Sequence, residues 1–161
     1  INPFPYQKLY FSAIQYAPLY SFNDAQVKTE LSKDTDVLLV CGIARHEELK
    51  SYLQAKVRNV YVRDFRDHHR FDEYDLDSIR ETFTNMGEVK KIIVTTEKDA
   101  ARLEEHRSWF LQNKIEIFVQ PIMVQFLKDD GEKFNADILH YIETNKQKIT
   151  PQQNERPVTE D

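Results

Sequence analysis

A chain of 161 residues, 40 % hydrophobic and 12 % aromatic, is long enough to bury the core of one globular domain, and at 30 % charged it needs water around that core. The net charge is −5, with 22 Lys and Arg scattered among 27 acids, so no basic stripe marks a nucleic-acid binder. The longest apolar runs, such as Val37-Leu38-Leu39-Val40, are strand-sized and far short of the roughly 20 residues of a membrane span.

The chain opens at Ile1 with neither a methionine nor a signal-peptide pattern, and so reads as a piece of a longer chain. In QKLYFSAIQYAPLYSF (7–22), Leu9, Phe11 and Ala13 alternate with Tyr10, Ser12 and Ile14. That pattern predicts an edge strand or hairpin arm, with residues 1–22 connecting to an absent part. Strand and helix patterns then alternate. DVLLVCG (36–42) reads as a strand buried on both faces. HEELKSYLQA (46–55) reads as a helix with Leu49, Tyr52 and Leu53 on one side, and NVYVR (59–63) as the next strand. A helix over 73–85 carries Leu76, Ile79 and Phe83, and Gly87 is its terminator. KKIIVTT (90–96) is a third strand, EKDAARLEEHRSWFL (97–111) a helix, and IEIFVQP (115–121) a fourth strand stopped by Pro121. IMVQFL (122–127) pairs or crosses the surface and is broken by Gly131. A last helix (133–146) carries Phe134, Ile138, Leu139, Tyr141 and Ile142. Residues 149–161 have no apolar face and read as a disordered tail. The expected fold is α/β: a small, open, mainly parallel sheet with helices on both faces, a Rossmann-like or flavodoxin-like three-layer domain over 23–148.

Cys41 is the single cysteine, so no internal disulfide forms, and a soluble chain in a reducing cytoplasm is expected. Only three glycines exist, Gly42, Gly87 and Gly131, spaced too widely for a loop whose bare amides cradle phosphate. A nucleophile elbow and Cys/His zinc spacing are absent as well, and no metal ligands are expected.

Chemistry in an open parallel sheet gathers beyond the carboxyl ends of its strands. Three loops fall there: Gly42-Ile43-Ala44-Arg45, Arg66-Asp67-His68-His69 and Thr95-Thr96-Glu97-Lys98-Asp99. Asp67 and His68 have the chemistry of an acid–base pair, although sequence neighbours rarely bond each other well, so the carboxylate that orients His68 is free to come from elsewhere. His69 points away from His68 in an extended loop. Both histidines also suit a plainer role, covering the next helix in solvent. Thr96 and Asp99 make a variant capping box, while Lys98 in a first helical turn runs against the helix dipole and hints at an anion. Arg45 is either a solvated charge or a phosphate contact. The Asp-His-His triplet also resembles a signature of manganese-dependent phosphoesterases, but there it follows an apolar strand directly, whereas Phe65 and Arg66 intervene here.

CGIARHEELKSYL, FRDHHRF and IIVTTEKDAARL, in this order, resemble the C-terminal half of the tetraacyldisaccharide 4'-kinase family, the lipid A kinases of Gram-negative bacteria. QKLYFSAIQY resembles the segment that joins that family's two halves, and the likeness covers about residues 7–145. The resemblance implies a lid domain over a nucleotide. The P-loop, the Mg²⁺ ligands and the principal catalytic aspartate belong to an N-terminal P-loop domain absent from this chain, and that domain is the expected partner. It implies transfer of the ATP γ-phosphoryl group to the 4'-hydroxyl of a tetraacyldisaccharide 1-phosphate at the cytoplasmic face of the inner membrane. Membrane contact would fall to the absent half, and the fragment alone would be inactive. By motif position, His68 matches the histidine that supports the catalytic aspartate across the cleft, and Asp67 its neighbour on the nucleotide side. Thr96, Lys98 and Asp99 match a loop shaping the nucleotide side, with Arg45 beside them. His46 departs from the family's usual proline. The alternative from another class is a self-contained α/β binding module without catalysis.

Overall fold

The computed structural model describes residues 3–87, 90–128 and 130–146. The strands are β1 (Ser12–Tyr16), β2 (Leu19–Ser21), β3 (Lys28–Thr29), β4 (Asp36–Cys41), β5 (Asn59–Asp64), β6 (Lys91–Thr96), β7 (Ile117–Gln120) and β8 (Ile122–Phe126). The helices are α1 (Glu47–Lys56), α2 (Glu73–Asn85), α3 (Glu97–Leu103), α4 (Arg107–Gln112) and α5 (Asp130–Asn145).

Two compact units result. Tyr16–Met123 holds a six-stranded sheet of order β3-β2-β7-β6-β4-β5 with helices α1 to α4. The strands β7, β6, β4 and β5 run parallel, and β2 and β3 extend the β7 edge antiparallel. Helices cover both faces, which is why β4 is buried at every residue and reads as an unbroken apolar run. On one face Leu38, Val40, Ile93, Ile117 and Val119 pack with Leu76 and Ile79 of α2, Leu103 of α3 and Phe110 of α4. On the other, Val37, Leu39, Cys41, Ile92, Val94 and Phe118 pack with Leu49 and Leu53 of α1. A side chain as buried as Leu53 contributes about 1.5–3 kcal/mol. The fold is the mainly parallel α/β sheet expected from the sequence.

The second unit comprises the described parts of Ile1–Gln15 and Val124–Asp161. Its two-stranded sheet pairs β1 with β8, so the 122–127 run does pair. Tyr10 meets Phe134 of α5 edge-on with ring centroids 5.4 Å apart. Ile138, Leu139, Tyr141 and Ile142 of α5 are exposed. The units divide at 15/16 and 123/124, whereas the sequence reading drew its boundary after residue 22.

Three local differences have physical causes. The helix expected over 97–111 is interrupted by a 3-10 turn at Glu104–His106. There Arg107 grips Glu104 at 2.8 and 2.7 Å, a spacing of three that the tighter turn brings into line. Gly131 does not break the chain: it lies in the first turn of α5, where a Cβ would meet the Phe126 ring at 3.4 Å. The two residues of β3 were not foreseen, being too few to carry a period. The tail at 149–161 lies outside the described residues.

Candidate functional site

The strand order creates the crevice. After β4 the chain crosses through α1 to β5 on one side, and after β5 it returns through α2 to β6 on the other. The loops leaving β4 and β6 therefore diverge, and β4/β6 is the switch point of the parallel sheet.

Asp99 fills that point. It lies in the first turn of α3, is fully buried, and its carboxylate accepts from the Gly42 amide (3.0 Å), the Thr96 hydroxyl (2.7 Å) and Arg102 Nη1 (3.0 Å). Thr96 in turn caps α3 by accepting from the Asp99 amide at 3.1 Å. The expected capping box is thus half present: Thr96 caps, but the Asp99 carboxylate turns away to bind the neighbouring strand's loop. The close approach favours glycine at 42, since a Cβ there would stand 3.1 Å from the Arg66 carbonyl and 3.3 Å from Asp99 Oδ1, and both would have to give way. Arg102 also donates to the Gly42 carbonyl at 3.3 Å, so one arginine clamps both the carboxylate and the loop.

The Asp-His-His loop gives its two histidines opposite fates. His69 turns inward. Its Nε2 lies 2.6 Å from Asp75 Oδ2, and its ring stacks on Phe65 with centroids 4.9 Å apart. Asp75 is also half of the capping box of α2, trading bonds of 3.0 Å with Asp72 in both directions. His69 is therefore a strut between loop and helix. His68 turns outward, with its side chain 78 % exposed and its backbone in the left-handed region at φ 62°. That conformation costs a non-glycine residue about 1–2 kcal/mol, and residues held so concentrate at functional sites.

The ring of His68 is held by Arg102, whose Nη2 stands 3.2 Å from Nδ1. Guanidinium has donors only, so Nδ1 accepts and the neutral ring carries its proton on Nε2. Asp67 is not its orienting partner: Asp67 Oδ2 is 3.7 Å from His68 Nε2, beyond hydrogen-bond range. Asp67 instead accepts from Lys98 Nζ at 2.8 Å and from the His68 amide at 3.0 Å, and Lys98 above all holds its carboxyl below the usual carboxylate range. The anion that Lys98 hints at is thus supplied by the chain itself.

Of the sequence-predicted residues, Asp67, His68, Thr96, Lys98 and Asp99 are joined by these contacts. Arg45 is exposed on the loop after β4 and makes no hydrogen bond or ion pair among the described residues. Arg102 and Gly42 were missed as members of the site. The signal for Arg102 was its place three residues after Asp99, one helical turn on. An open depression of about 560 Å³ adjoins the group, lined by His68, His69, Arg70, Arg102, Glu104 and Glu105 among others. What the arrangement offers is an exposed imidazole held at Nδ1, with its Nε2–H making no hydrogen bond among the described residues, beside a rim of paired charges.

The profile of the family described as Tetraacyldisaccharide-1-P 4'-kinase matches residues 6–143. A Tetraacyldisaccharide 4'-kinase of Phocaeicola vulgatus is 37 % identical over 145 residues, covering 88 % of this chain and 40 % of that protein. Proteins of the same name in Bacteroides fragilis and Bacteroides thetaiotaomicron are 36 % and 33 % identical over 151 and 155 residues, each covering 90 % of this chain. The chain spans about 40 % of the length of these curated relatives. In fold it is similar to the "apo" form of LpxK from Aquifex aeolicus crystallised in complex with ATP, with a TM-score of 0.51 and 19 % identity over 87 % of this chain and 38 % of that one.

Proposed function

The chain belongs to the tetraacyldisaccharide-1-P 4'-kinase family, and from that premise we propose that it is the C-terminal α/β part of a lipid A 4'-kinase. The longer protein would move the γ-phosphoryl group of ATP to the 4'-hydroxyl of a tetraacyldisaccharide 1-phosphate at the cytoplasmic face of the inner membrane. Among the described residues no helix is long and apolar enough to cross a membrane. By the family resemblance, lipid and membrane contact would fall to the remaining part.

The observation that carries the reading is His68: exposed, strained, and held at Nδ1 by Arg102, with its Nε2–H making no hydrogen bond among the described residues. Such an N–H does not take a proton from a hydroxyl. It donates to a carboxylate, and so holds and polarises a base supplied from outside this chain. That base would accept the 4'-hydroxyl proton as the oxygen attacks phosphorus. His68 is in this sense a positioning residue, and Asp67, ionised by Lys98, sets the charge beside it.

ATP and Mg²⁺ would be bound mainly by the remaining part. The Gly42 amide is already occupied by Asp99, and both rim cations, Lys98 and Arg102, have carboxylate partners within the chain. Thr96, Asp99 and Lys98 therefore shape the wall beside a nucleotide held elsewhere, and Arg45, with no ion pair among the described residues, is the side chain of this set with a charge to offer a phosphate.

The test is steady-state kinetics of the full-length protein. His68→Ala lowers kcat by about 10²–10⁴-fold, or about 3–5 kcal/mol of barrier, with the carboxylate limb of the pH–rate profile displaced. His69→Ala lowers thermal stability more than turnover. His68→Gln, which keeps an N–H donor near Nε2, recovers part of the loss. Equal and small losses from both alanine variants would overturn the reading.

A further inference from the structure

We propose that Cys41, His46 and Asp64 form a binding site for a zinc-type divalent cation, on the α1 face of the sheet. The sulfur, a ring nitrogen and a carboxylate oxygen of these residues all lie within 4.8 Å of one another. The register explains why. Cys41 and Asp64 are paired at the carboxyl ends of the adjacent parallel strands β4 and β5, so both side chains emerge on one face. Cys41 packs among the residues beneath α1, and His46 is the N-cap residue of that helix, directly above the two strand ends.

The His46 carbonyl accepts from the Lys50 amide at 2.9 Å, but its side chain makes no capping bond to the α1 backbone. With its side chain 16 % exposed, its Nδ1 stands 3.4 Å from Asp64 Oδ1 and its Nε2 3.2 Å from Glu47 Oε1. Nitrogen and oxygen ligands at about 2.0–2.1 Å from a tetrahedral zinc stand about 3.3–3.4 Å apart, which is the His46–Asp64 separation. Glu47 stands beside the other ring nitrogen, where a carboxylate can orient a metal-bound imidazole. Among the described residues Asp64 pairs with no lysine or arginine, so no protein cation competes for the position.

The donor set selects the ion. Thiolate and imidazole disfavour Mg²⁺ and Ca²⁺, which want oxygen alone, and suit zinc. Ligation replaces the Cys41 proton, which leaves to solvent, and Asp64, with 54 % of its side chain exposed, provides the entry path. A bound cation would clamp the loop from Gly42 to His46, and so the Gly42 amide that holds Asp99. The site rests on no part of the kinase reading. It was not legible in the chain because its donors stand five and eighteen residues apart, outside any zinc-finger spacing.

Titration of the 161-residue chain with Zn²⁺ against a chromophoric chelator, and with Co²⁺ by absorption, tests this. The expected result is one ion per chain and a cobalt–thiolate charge-transfer band in the near ultraviolet. Cys41→Ser abolishes the band, His46→Asn and Asp64→Asn each weaken zinc binding at least tenfold, and His69→Asn leaves it unchanged. Cys41 is in the core, so circular dichroism accompanies each variant, and those at half-buried His46 and exposed Asp64 decide the matter if that one fails to fold. Absence of stoichiometric zinc, absence of the thiolate band, or binding indifferent to His46→Asn and Asp64→Asn would overturn the proposal.

Discussion

Arg102 does more in this structure than its surface-like surroundings in the sequence suggest. One guanidinium reaches a buried carboxylate, a backbone carbonyl and an imidazole at 3.0, 3.3 and 3.2 Å. Removing it strands the Asp99 carboxylate with two donors, Gly42 and Thr96, and frees His68. A hydrogen bond to a charged group is worth about 1.5–3 kcal/mol, so Arg102→Ala should cost about 2 kcal/mol in urea unfolding. Arg102→Lys keeps the charge, loses the fork, and should recover only part. In the double variant with Asp99→Asn the two losses should fall short of their sum, because they remove one interaction. The imidazole reports the same contact independently: ¹⁵N shifts of His68 should show the Nε2–H tautomer in the parent chain and a mixture in Arg102→Ala. Strict additivity together with an unmoved tautomer would mean the arginine is a bystander.

Elements were legible in the sequence where burial imposes a period, and illegible where it does not. The strands β4 and β6 are buried nearly throughout and read as continuous apolar runs, while α2 spans the expected 73–85 and ends before Gly87 as its apolar spacing and that glycine announce. The break between α3 and α4 left no trace, because Leu103 and Phe110 keep helical spacing across it and both reach the core. The site behaved likewise. Asp67, His68, Thr96 and Asp99 stood out through motif and capping logic, whereas the Asp99–Gly42 bond joins strands paired only in three dimensions. The His68–Arg102 contact is just as remote in the chain. Gly87 tests the element-level logic cleanly. It sits at φ 86° beyond the end of α2, donating to the Thr84 carbonyl at 3.2 Å, with nothing within 4 Å of an added Cβ. Gly87→Ala therefore meets only the left-handed backbone penalty, about 1–2 kcal/mol. The urea midpoint should drop accordingly with an unchanged slope. No change would show that the helix end relaxes without cost.

Across its largest unit the molecule is polarised along the strand direction. The carboxyl ends of the strands, with the loops and the helix start that follow them, carry the exposed histidine, the clamped carboxylate and the proposed cation site, while the amino ends are tied down by a different device. Asp36 begins β4 and is 3 % exposed, accepting from Arg58 Nε at 2.8 Å and from Asn59 Nδ2 at 3.1 Å, so it staples β4 to the start of β5. The hydrogen bond from Arg58, more than any other influence, holds the Asp36 carboxyl below the usual carboxylate range against the opposing effect of burial. The sign of the pH dependence follows. The unfolded chain protonates this aspartate near its ordinary value of about 3.9, and the folded chain only at lower pH. Below roughly pH 5 the unfolded state thus binds the proton first, and stability is lost as pH falls through the folded value. Above that window the contribution is fully present. Asp36→Asn should weaken the chain at pH 7 and, because it has no proton left to take up, should lose less further stability between pH 5 and pH 3 than the parent does. Urea unfolding at pH 7, 5 and 3 measures both effects. Parallel losses in the two chains over the acid interval would assign the acid sensitivity to other carboxylates, and the amino-end staple would then be held by packing rather than charge.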